Sequence, residues 1–126
     1  MRRVPVKPLN APALKTLLAR IEHARDGEIR SLTPLGASSV EIRFSVQDKA
    51  RDYDWIDVVF RIDGVNNAKL VSDNVLRGLD MSEGITVELT ANAAALALGC
   101  YPGRVSEAPL YIVGTSMGYE ELPFSG

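Results

Sequence analysis

Four aspartates surround the only tryptophan of the chain in the segment RDYDWIDVVFRIDGV, residues 51–65. Asp52, Asp54, Asp57 and Asp63 carry the oxygen ligands that Ca²⁺ and Mg²⁺ prefer, and paired carboxylates also serve as general acids and bases. A calcium-binding loop that begins at Asp52 needs glycine at its sixth position and glutamate at its twelfth. The chain has Asp57 and Asp63 at those positions. We therefore predict no metal site here, and an enzyme using Asp52 and Asp54 is the third functional interpretation.

His23 and Cys100 are the single histidine and the single cysteine of the chain. One histidine excludes a multi-histidine metal site, and its predicted place on the polar face of a helix favours a solvated side chain. A lone cysteine forms no internal disulfide, which fits a reducing, cytoplasmic location. The segment GTSMG, residues 114–118, matches a serine-hydrolase pattern, but no aspartate or histidine follows its serine in the chain as that enzyme class requires. We predict no catalytic residue and no cofactor.

Two alternating segments predict the strands that position the aspartates. Residues 40–46 and 56–62 place an apolar side chain at every second position, which indicates two half-buried β-strands. In an antiparallel hairpin with matched apolar faces and a symmetric loop, the numbers of paired residues sum to 102. The predicted pairs are Phe44 with Val58, Ile42 with Phe60, Glu41 with Arg61, and Ser45 with Asp57. Asp57 and Arg61 would then face outward and pair across the strands, which explains their presence without a catalytic or metal-binding role.

An amphipathic helix is predicted before the hairpin. Asn10 is a suitable N-cap, and the helix is expected to end near Arg25, before the turn signal Asp26–Gly27. Its apolar stripe has the i, i+3, i+4, i+7 spacing of one helix face and consists of Leu14, Leu17, Leu18 and Ile21. Residues 1–9, with two prolines, are predicted to form a loose N-terminal arm.

Further short elements are predicted along the rest of the chain. Strands are expected within residues 28–36, 67–71, 84–89 and 108–116, and a helical turn within residues 72–80. Residues 91–98 fit either a helix or a strand, because their run of alanine and leucine is too short for periodicity to decide. Residues 117–126 are predicted to be a polar tail.

The composition bounds the fold and the class of partner. The chain has 126 residues, of which 46% are hydrophobic and 24% charged, values typical of one globular domain. We predict a single α+β domain over residues 1–126, with the N-terminal helix packed on an antiparallel sheet of about five to seven strands. The net charge of −2 gives no electrostatic footprint for nucleic acid, and no apolar run is long enough to cross a membrane.

The outer face of the second predicted strand is the candidate interaction surface. Trp55, Asp57 and Arg61 share that face, and Tyr53 precedes them in the loop. An exposed aromatic residue beside arginine is typical of a protein interface. A second layer of structure covering this face is the alternative. The partner is either another protein or a second copy in a homodimer. A homodimer would be favoured by charge attraction between the basic residues 1–30 and the acidic residues 105–126.

Several strand patterns resemble those of small bacterial proteins of unassigned function, some encoded beside polymorphic toxins and called immunity-like. The similar segments are VEIRFSV, DWIDVVFRIDGVNNAKLV, GITVEL and GTSMGYEEL, about half of the chain. They contain no catalytic motif, so the resemblance implies no site residues; it implies an α+β protein that acts by binding. We therefore expect a non-catalytic, immunity-like interaction protein. The alternative is a small-ligand-binding domain with its pocket between helix and sheet.

Overall fold

A computed structural model describes residues 7–124, so residues 1–6 of the predicted N-terminal arm lie outside the described residues. Within the described part, the α+β prediction with an N-terminal helix is confirmed. The helices are α1 (Ala11–Arg20) and α2 (Asp73–Leu76). The strands are β1 (Lys7–Pro8), β2 (Glu28–Pro34), β3 (Ser39–Asp48), β4 (Asp54–Asp63), β5 (Asn67–Lys69), β6 (Ile85–Leu89), β7 (Ala94–Leu98), β8 (Tyr111–Gly114) and β9 (Ser116–Pro123).

The strands of residues 7–124 are divided between two antiparallel sheets, where a single sheet was expected. Sheet A has five strands in the order β1-β9-β4-β3-β2, and sheet B has four in the order β5-β8-β7-β6. The chain passes from sheet B to sheet A at Gly114 and Thr115. A side chain on Gly114 would approach the Asp63 carbonyl oxygen to 2.5 Å, and the Thr115 amide donates to the same oxygen at 2.9 Å. Glycine is therefore required where the two sheets touch.

The predicted register of the central hairpin is confirmed. β3 and β4 pair from Ser39 with Asp63 to Asp48 with Asp54, so the numbers of every pair sum to 102. Phe44 and Phe60 are fully buried on the inner face, with their rings edge to face and their centroids 6.1 Å apart. The alternation determined this outcome, because a shift by one residue would turn both phenylalanines to the outer face.

The N-cap of α1 is confirmed, but the helix ends earlier than predicted. Asn10 Oδ1 accepts a hydrogen bond from the Ala13 amide at 2.9 Å, and α1 ends at Arg20. Residues 22–24 then adopt left-handed φ angles of 52°, 57° and 60°. This turn packs against the start of β6 so closely that a side chain on Gly84 would collide with the His23 carbonyl. Three successive left-handed non-glycine residues are rare, so composition gave no signal for this turn.

The ambiguous segment 91–98 contains the strand β7. Every residue of Ala94–Leu98 is buried, since β6 and β8 pair on either side of the strand. Leu96 and Leu98 join the hydrophobic core, while Ala95 and Ala97 face the opposite side of sheet B. Pairing on both edges overrides the helix propensity of alanine, which is a weak preference.

The predicted polar tail is wrong, because most of it forms β9, which pairs with β4 in sheet A. Tyr119 lies opposite Phe60, and Glu120 opposite Val59. The glutamates of MGYEEL hid the strand pattern, but Glu120 is buried and Glu121 contacts Arg20.

One hydrophobic cluster joins the helix and both sheets. It includes the apolar stripe of α1 (Leu14, Leu17, Leu18, Ile21), the inner face of the hairpin (Val40, Ile42, Phe44, Val46, Ile56, Val58, Phe60, Ile62), and Ile85, Leu96, Leu98 and Ile112 from sheet B. This shared core fixes the positions of the surfaces described next.

Candidate interaction surface

The loop between β3 and β4 holds Tyr53 at the surface. Asp48 starts a short 3₁₀ turn by accepting the Ala50 amide at 2.9 Å, and its carbonyl accepts the Tyr53 amide at 2.9 Å. Asp52 and Tyr53 then take left-handed φ angles of 54° and 65°. Non-glycine residues pay about 1–2 kcal/mol each for this conformation. The strained turn leaves the Tyr53 side chain 50% exposed.

Trp55 and Phe124 form an exposed ring pair at the start of β4. Their centroids are 5.7 Å apart, and the two residues are 38% and 43% exposed. The guanidinium of Arg30, from β2, lies 5.9 Å from the centroid of Phe124. We call Tyr53, Trp55, Phe124 and Arg30 the aromatic patch. Phe124 and Arg30 were not predicted, because the register of β9 and β2 on the outer face was unknown from sequence.

Asp57, predicted as an interaction residue, lies beneath the surface of sheet A. It is fully buried, with Ser45 Oγ donating to Oδ1 at 2.6 Å and Arg43 Nε donating to Oδ2 at 2.6 Å. An unpaired buried carboxylate would cost several kcal/mol, so these donors give Asp57 a structural role. The cross-strand pair Ser45–Asp57 was predicted from the hairpin register; the burial was not.

Arg61, the fourth predicted interaction residue, lies further along the same face. It is half-buried, and its Nε donates to Asp63 Oδ1 at 3.0 Å. Ser39 Oγ donates to the same oxygen at 2.6 Å. Hydrogen bonds from Ser39 and Arg61 lower the pKa of Asp63. Of the four predicted residues, Tyr53 and Trp55 therefore reach the surface together, while Asp57 and Arg61 are held by neighbours on the sheet.

An ion-pair cluster that was not predicted ties α1 to sheet A. Arg20 donates to both carboxylate oxygens of the buried Asp48, at 3.2 and 2.5 Å, and to both oxygens of Glu121, at 3.2 and 2.8 Å. Arg51 adds a contact of 3.5 Å to Asp48. The hydrogen bonds from Arg20 are the main cause that lowers the pKa of Asp48. Hydrogen bonds to Asp48 and Glu121 in turn raise the pKa of Arg20. The sequence signal for this cluster was the position of Asp48, which falls on the even-numbered, otherwise apolar face of β3 and is therefore expected to need a partner.

The aspartate cluster does not form a metal centre. Asp52 and Asp54 are exposed in the loop region, whereas Asp57 is buried beneath the sheet face. Among residues 7–124, no group of three or more His, Cys, Asp and Glu side chains is placed to hold a metal ion.

Open clefts border the sheets in the described part of the chain. A cleft of about 700 Å³ separates β2 from α2 and the segment after it, and charged residues contribute much of its lining: Asp26, Glu28, Arg30, Arg77 and Asp80. Clefts of about 280 and 350 Å³ lie along β6. The first is lined by Leu18, His23, Arg25 and Cys100 and the second by Leu9 and Ala11, among others. Both small clefts are lined by residues of α1 and β6, and the ligand pocket expected between the N-terminal helix and a sheet stays a prediction.

Comparisons with protein-family models, curated proteins and solved structures gave no match. The resemblance to immunity-like bacterial proteins therefore stays a prediction. In the described part of the chain, neither helix has the length and apolar character needed to cross a bilayer.

Proposed function

We propose that the protein acts without catalysis, by binding a partner protein through the aromatic patch. The supporting observation is the ring pair of Trp55 and Phe124, which stays exposed where β4 begins and β9 ends, in a sheet whose inner face is packed. Large exposed aromatic groups beside arginine are the residues that carry most of the binding energy in protein interfaces. The patch is therefore the surface that a partner would use.

The patch is organised before any partner binds. Trp55 already contacts Phe124, and Arg30 already lies over the Phe124 ring. Side chains that are held in place lose less rotamer freedom on association, so more of their contact energy appears as affinity. The left-handed conformations of Asp52 and Tyr53 support the same interpretation, because backbone strain is concentrated at functional sites.

The proposed partner is a foreign protein. If the resemblance to immunity-like proteins holds, that partner is a bacterial toxin domain, and complex formation takes place in the cytoplasm. Neutralising a toxin needs no catalytic group on this chain, which fits the burial and pairing of Asp48 and Asp57.

A comparative capture experiment tests the proposal. Wild type, Trp55→Ala and Leu70→Ala would each be immobilised and incubated with lysate of the source cells, and retained proteins identified by mass spectrometry. Leu70 is an exposed apolar residue after β5 and serves as the matched control. We expect one protein to be retained by wild type and Leu70→Ala and lost by Trp55→Ala.

The captured protein is then purified and titrated calorimetrically. We expect Trp55→Ala to weaken binding by about 30-fold, which corresponds to about 2 kcal/mol at a binding hot spot. Equal affinities for wild type and Trp55→Ala would contradict the proposal. Light scattering at low and high salt tests the alternative that the aromatic patch binds a second copy of this chain. If the wild type is a dimer and Trp55→Ala is a monomer, the patch binds a second copy.

Small-ligand binding is the second candidate function. It is favoured by the cleft of about 700 Å³, where Arg77 supplies a guanidinium that an anionic group could contact, while Arg30 is paired with Glu28. A ligand stabilises the folded state by mass action. A rise in melting temperature with a small carboxylate or phosphate compound, absent in Arg77→Ala, would support this function; no rise with either class would remove it.

A further inference from the structure

The edges of the two sheets differ in how they are protected from strand pairing. β2, at the edge of sheet A, ends at Pro34, which has no amide hydrogen, and carries a bulge between Ile29 and Ser31. The other edge strand of sheet A, β1, is two residues long, and β5 of sheet B is three residues long. Proline, bulges and short length are the usual devices that prevent edge-to-edge association.

β6 is the edge strand without these devices in the described part of the chain. Its sequence ITVEL, Ile85–Leu89, contains no proline, and its pairing with β7 is regular along its whole length. Five residues of regular strand are enough to accept another strand along the open edge. An unprotected edge of this kind is a template for strand addition.

The hydrogen-bond phase of β6 identifies the groups on its open edge. The Thr90 amide donates to the Ala93 carbonyl, and the Gly99 amide donates to the Gly84 carbonyl. Even-numbered residues of β6 therefore form the hydrogen-bonded pairs with β7, since these pairs alternate along an antiparallel ladder. The amide and carbonyl groups of Ile85, Val87 and Leu89 point away from β7. Within residues 7–124, the inter-element backbone hydrogen bonds include none to these groups.

The open edge faces a groove. One cleft, of about 280 Å³, lies between β6 and the side chains of Leu18, His23 and Arg25. The other, of about 350 Å³, lies where Leu89 approaches Leu9. Glu83 and Glu88 line the first cleft beside apolar side chains, and β6 itself carries no basic residue that could pair with them. Charge complementarity therefore favours an extended segment of a partner protein over the edge of a second copy.

We propose that β6 binds an extended peptide segment of a partner protein, which adds to sheet B as a fifth strand. Main-chain hydrogen bonds to Ile85, Val87 and Leu89 would supply the binding, and alternate side chains of the segment would supply specificity. Side chains next to Val87 face the apolar side of the sheet, toward Leu18. Side chains next to Glu88 lie on the side of its carboxylate, of which Oε2 already accepts a hydrogen bond from the Gly103 amide at 2.8 Å. The segment therefore alternates apolar and basic residues. This site is separate from the aromatic patch.

Amide hydrogen exchange measured by NMR tests the proposal with a short capped peptide of alternating valine and lysine as the probe. In the free protein, the amides of Ile85, Val87 and Leu89 should exchange fast and those of Thr86 and Glu88 slowly. With saturating peptide, the three outward amides should exchange at least about tenfold more slowly. Outward amides that are already protected in the dilute protein, or that millimolar peptide leaves unprotected, would overturn the proposal.

Val87→Pro removes an outward amide and leaves the ladder with β7 intact, because proline is tolerated where the amide faces solvent at an edge. We expect at least about a tenfold loss of peptide affinity with an otherwise unchanged amide spectrum. If this variant does not fold, the wild type is titrated with the same peptide methylated at alternate backbone nitrogens, which should bind about tenfold more weakly. The proposal would be overturned if Val87→Pro bound the peptide as tightly as the wild type does, or, where the methylated peptide is used, if it bound as tightly as the unmethylated one.

Two further arms separate this site from other interpretations. Trp55→Ala should bind the peptide as the wild type does, so failure of the proposed aromatic interface and failure of strand addition are distinguishable. Protection of Ile85, Val87 and Leu89 that grows with protein concentration without peptide, and is lost in Val87→Pro, would assign the edge to a second copy and overturn the peptide proposal.

Discussion

The strands of the β3–β4 hairpin and the loop that joins them place the same residue type in opposite environments. Asp48 and Asp57 lie in the strands, are fully buried, and are each held by an arginine. Asp52 lies in the loop, Asp54 is the first residue of β4, and both are exposed. A count of aspartates in a short segment therefore does not define a site. Position in the strand register decides whether each carboxylate holds the fold together or lies in solvent.

The largest expected effect is the loss of an aromatic ring inside the hairpin. Phe60→Ala should destabilise the protein by about 3–5 kcal/mol, because it removes a buried ring and leaves a cavity. Tyr53→Ala, the matched aromatic substitution in the loop, should change stability by about 0.5 kcal/mol or less. Chemical denaturation followed by the fluorescence of Trp55 measures both. A loss below about 1 kcal/mol for Phe60→Ala would show that the inner face is wrongly assigned.

The same hairpin shows how far sequence reasoning reached. Its register followed from two alternating patterns, because a shift by one residue would expose a complete apolar face. The burial of Asp57 did not follow, because it depends on Arg43 and on how the outer face is covered. β9 and the left-handed turn at residues 22–24 were missed for a common reason. Both depend on contacts with distant segments, and neither has a local pattern of apolar residues or glycine.

The aromatic patch around Trp55 was predicted only in part, for the same reason. The place of Trp55 on the outer face followed from the alternating pattern of the predicted strand, but whether that face is exposed or covered by a second layer did not follow from sequence. The neighbours Phe124 and Arg30 come from β9 and β2. Their approach depends on the strand order of sheet A, in which β9 pairs with the distant strands β1 and β4. Sequence periodicity gives the faces of strands and does not give their order.

Removing the arginine that holds a buried carboxylate should have the next largest effect. Arg20→Ala leaves Asp48 buried without its two hydrogen bonds from Arg20, and we expect a loss of about 1–3 kcal/mol. Arg104→Ala is the control, because Arg104 pairs with Glu107 at an exposed site. Its removal should cost about 0.5 kcal/mol or less. If urea denaturation gives equal losses for the two variants, the Arg20 cluster does not stabilise the fold.

The buried carboxylates should also make stability depend on acid. The pKa of Asp48 is lowered in the folded state by its hydrogen bonds to Arg20. The folded state therefore holds the proton less tightly than the unfolded chain does. The resulting stabilisation is present above the unfolded pKa of about 3.9 and is lost as the pH falls through the folded pKa.

Urea denaturation from neutral pH down to about pH 3 measures this contribution. Wild type should lose stability steeply below about pH 4, and Asp48→Asn should show a shallower loss over the same range. Asp52→Asn, in the exposed loop, should keep the wild-type slope. A wild-type slope in Asp48→Asn would mean that other carboxylates, such as Asp63 with its lowered pKa, account for the acid sensitivity.

The smallest expected effect belongs to the exposed end of the hairpin. Divalent cations should leave the melting temperature unchanged, because Asp52 and Asp54 lack the spacing of a calcium loop and no metal-ligand group is assembled among residues 7–124. A bound ion would stabilise the folded state by mass action. Thermal denaturation in millimolar calcium, magnesium or manganese makes the measurement. A clear rise that disappears in the double variant Asp52→Asn, Asp54→Asn would show that the loop binds a metal after all. The buried carboxylates of the hairpin would then have a structural role, and the exposed ones at its end would have a ligand-binding role.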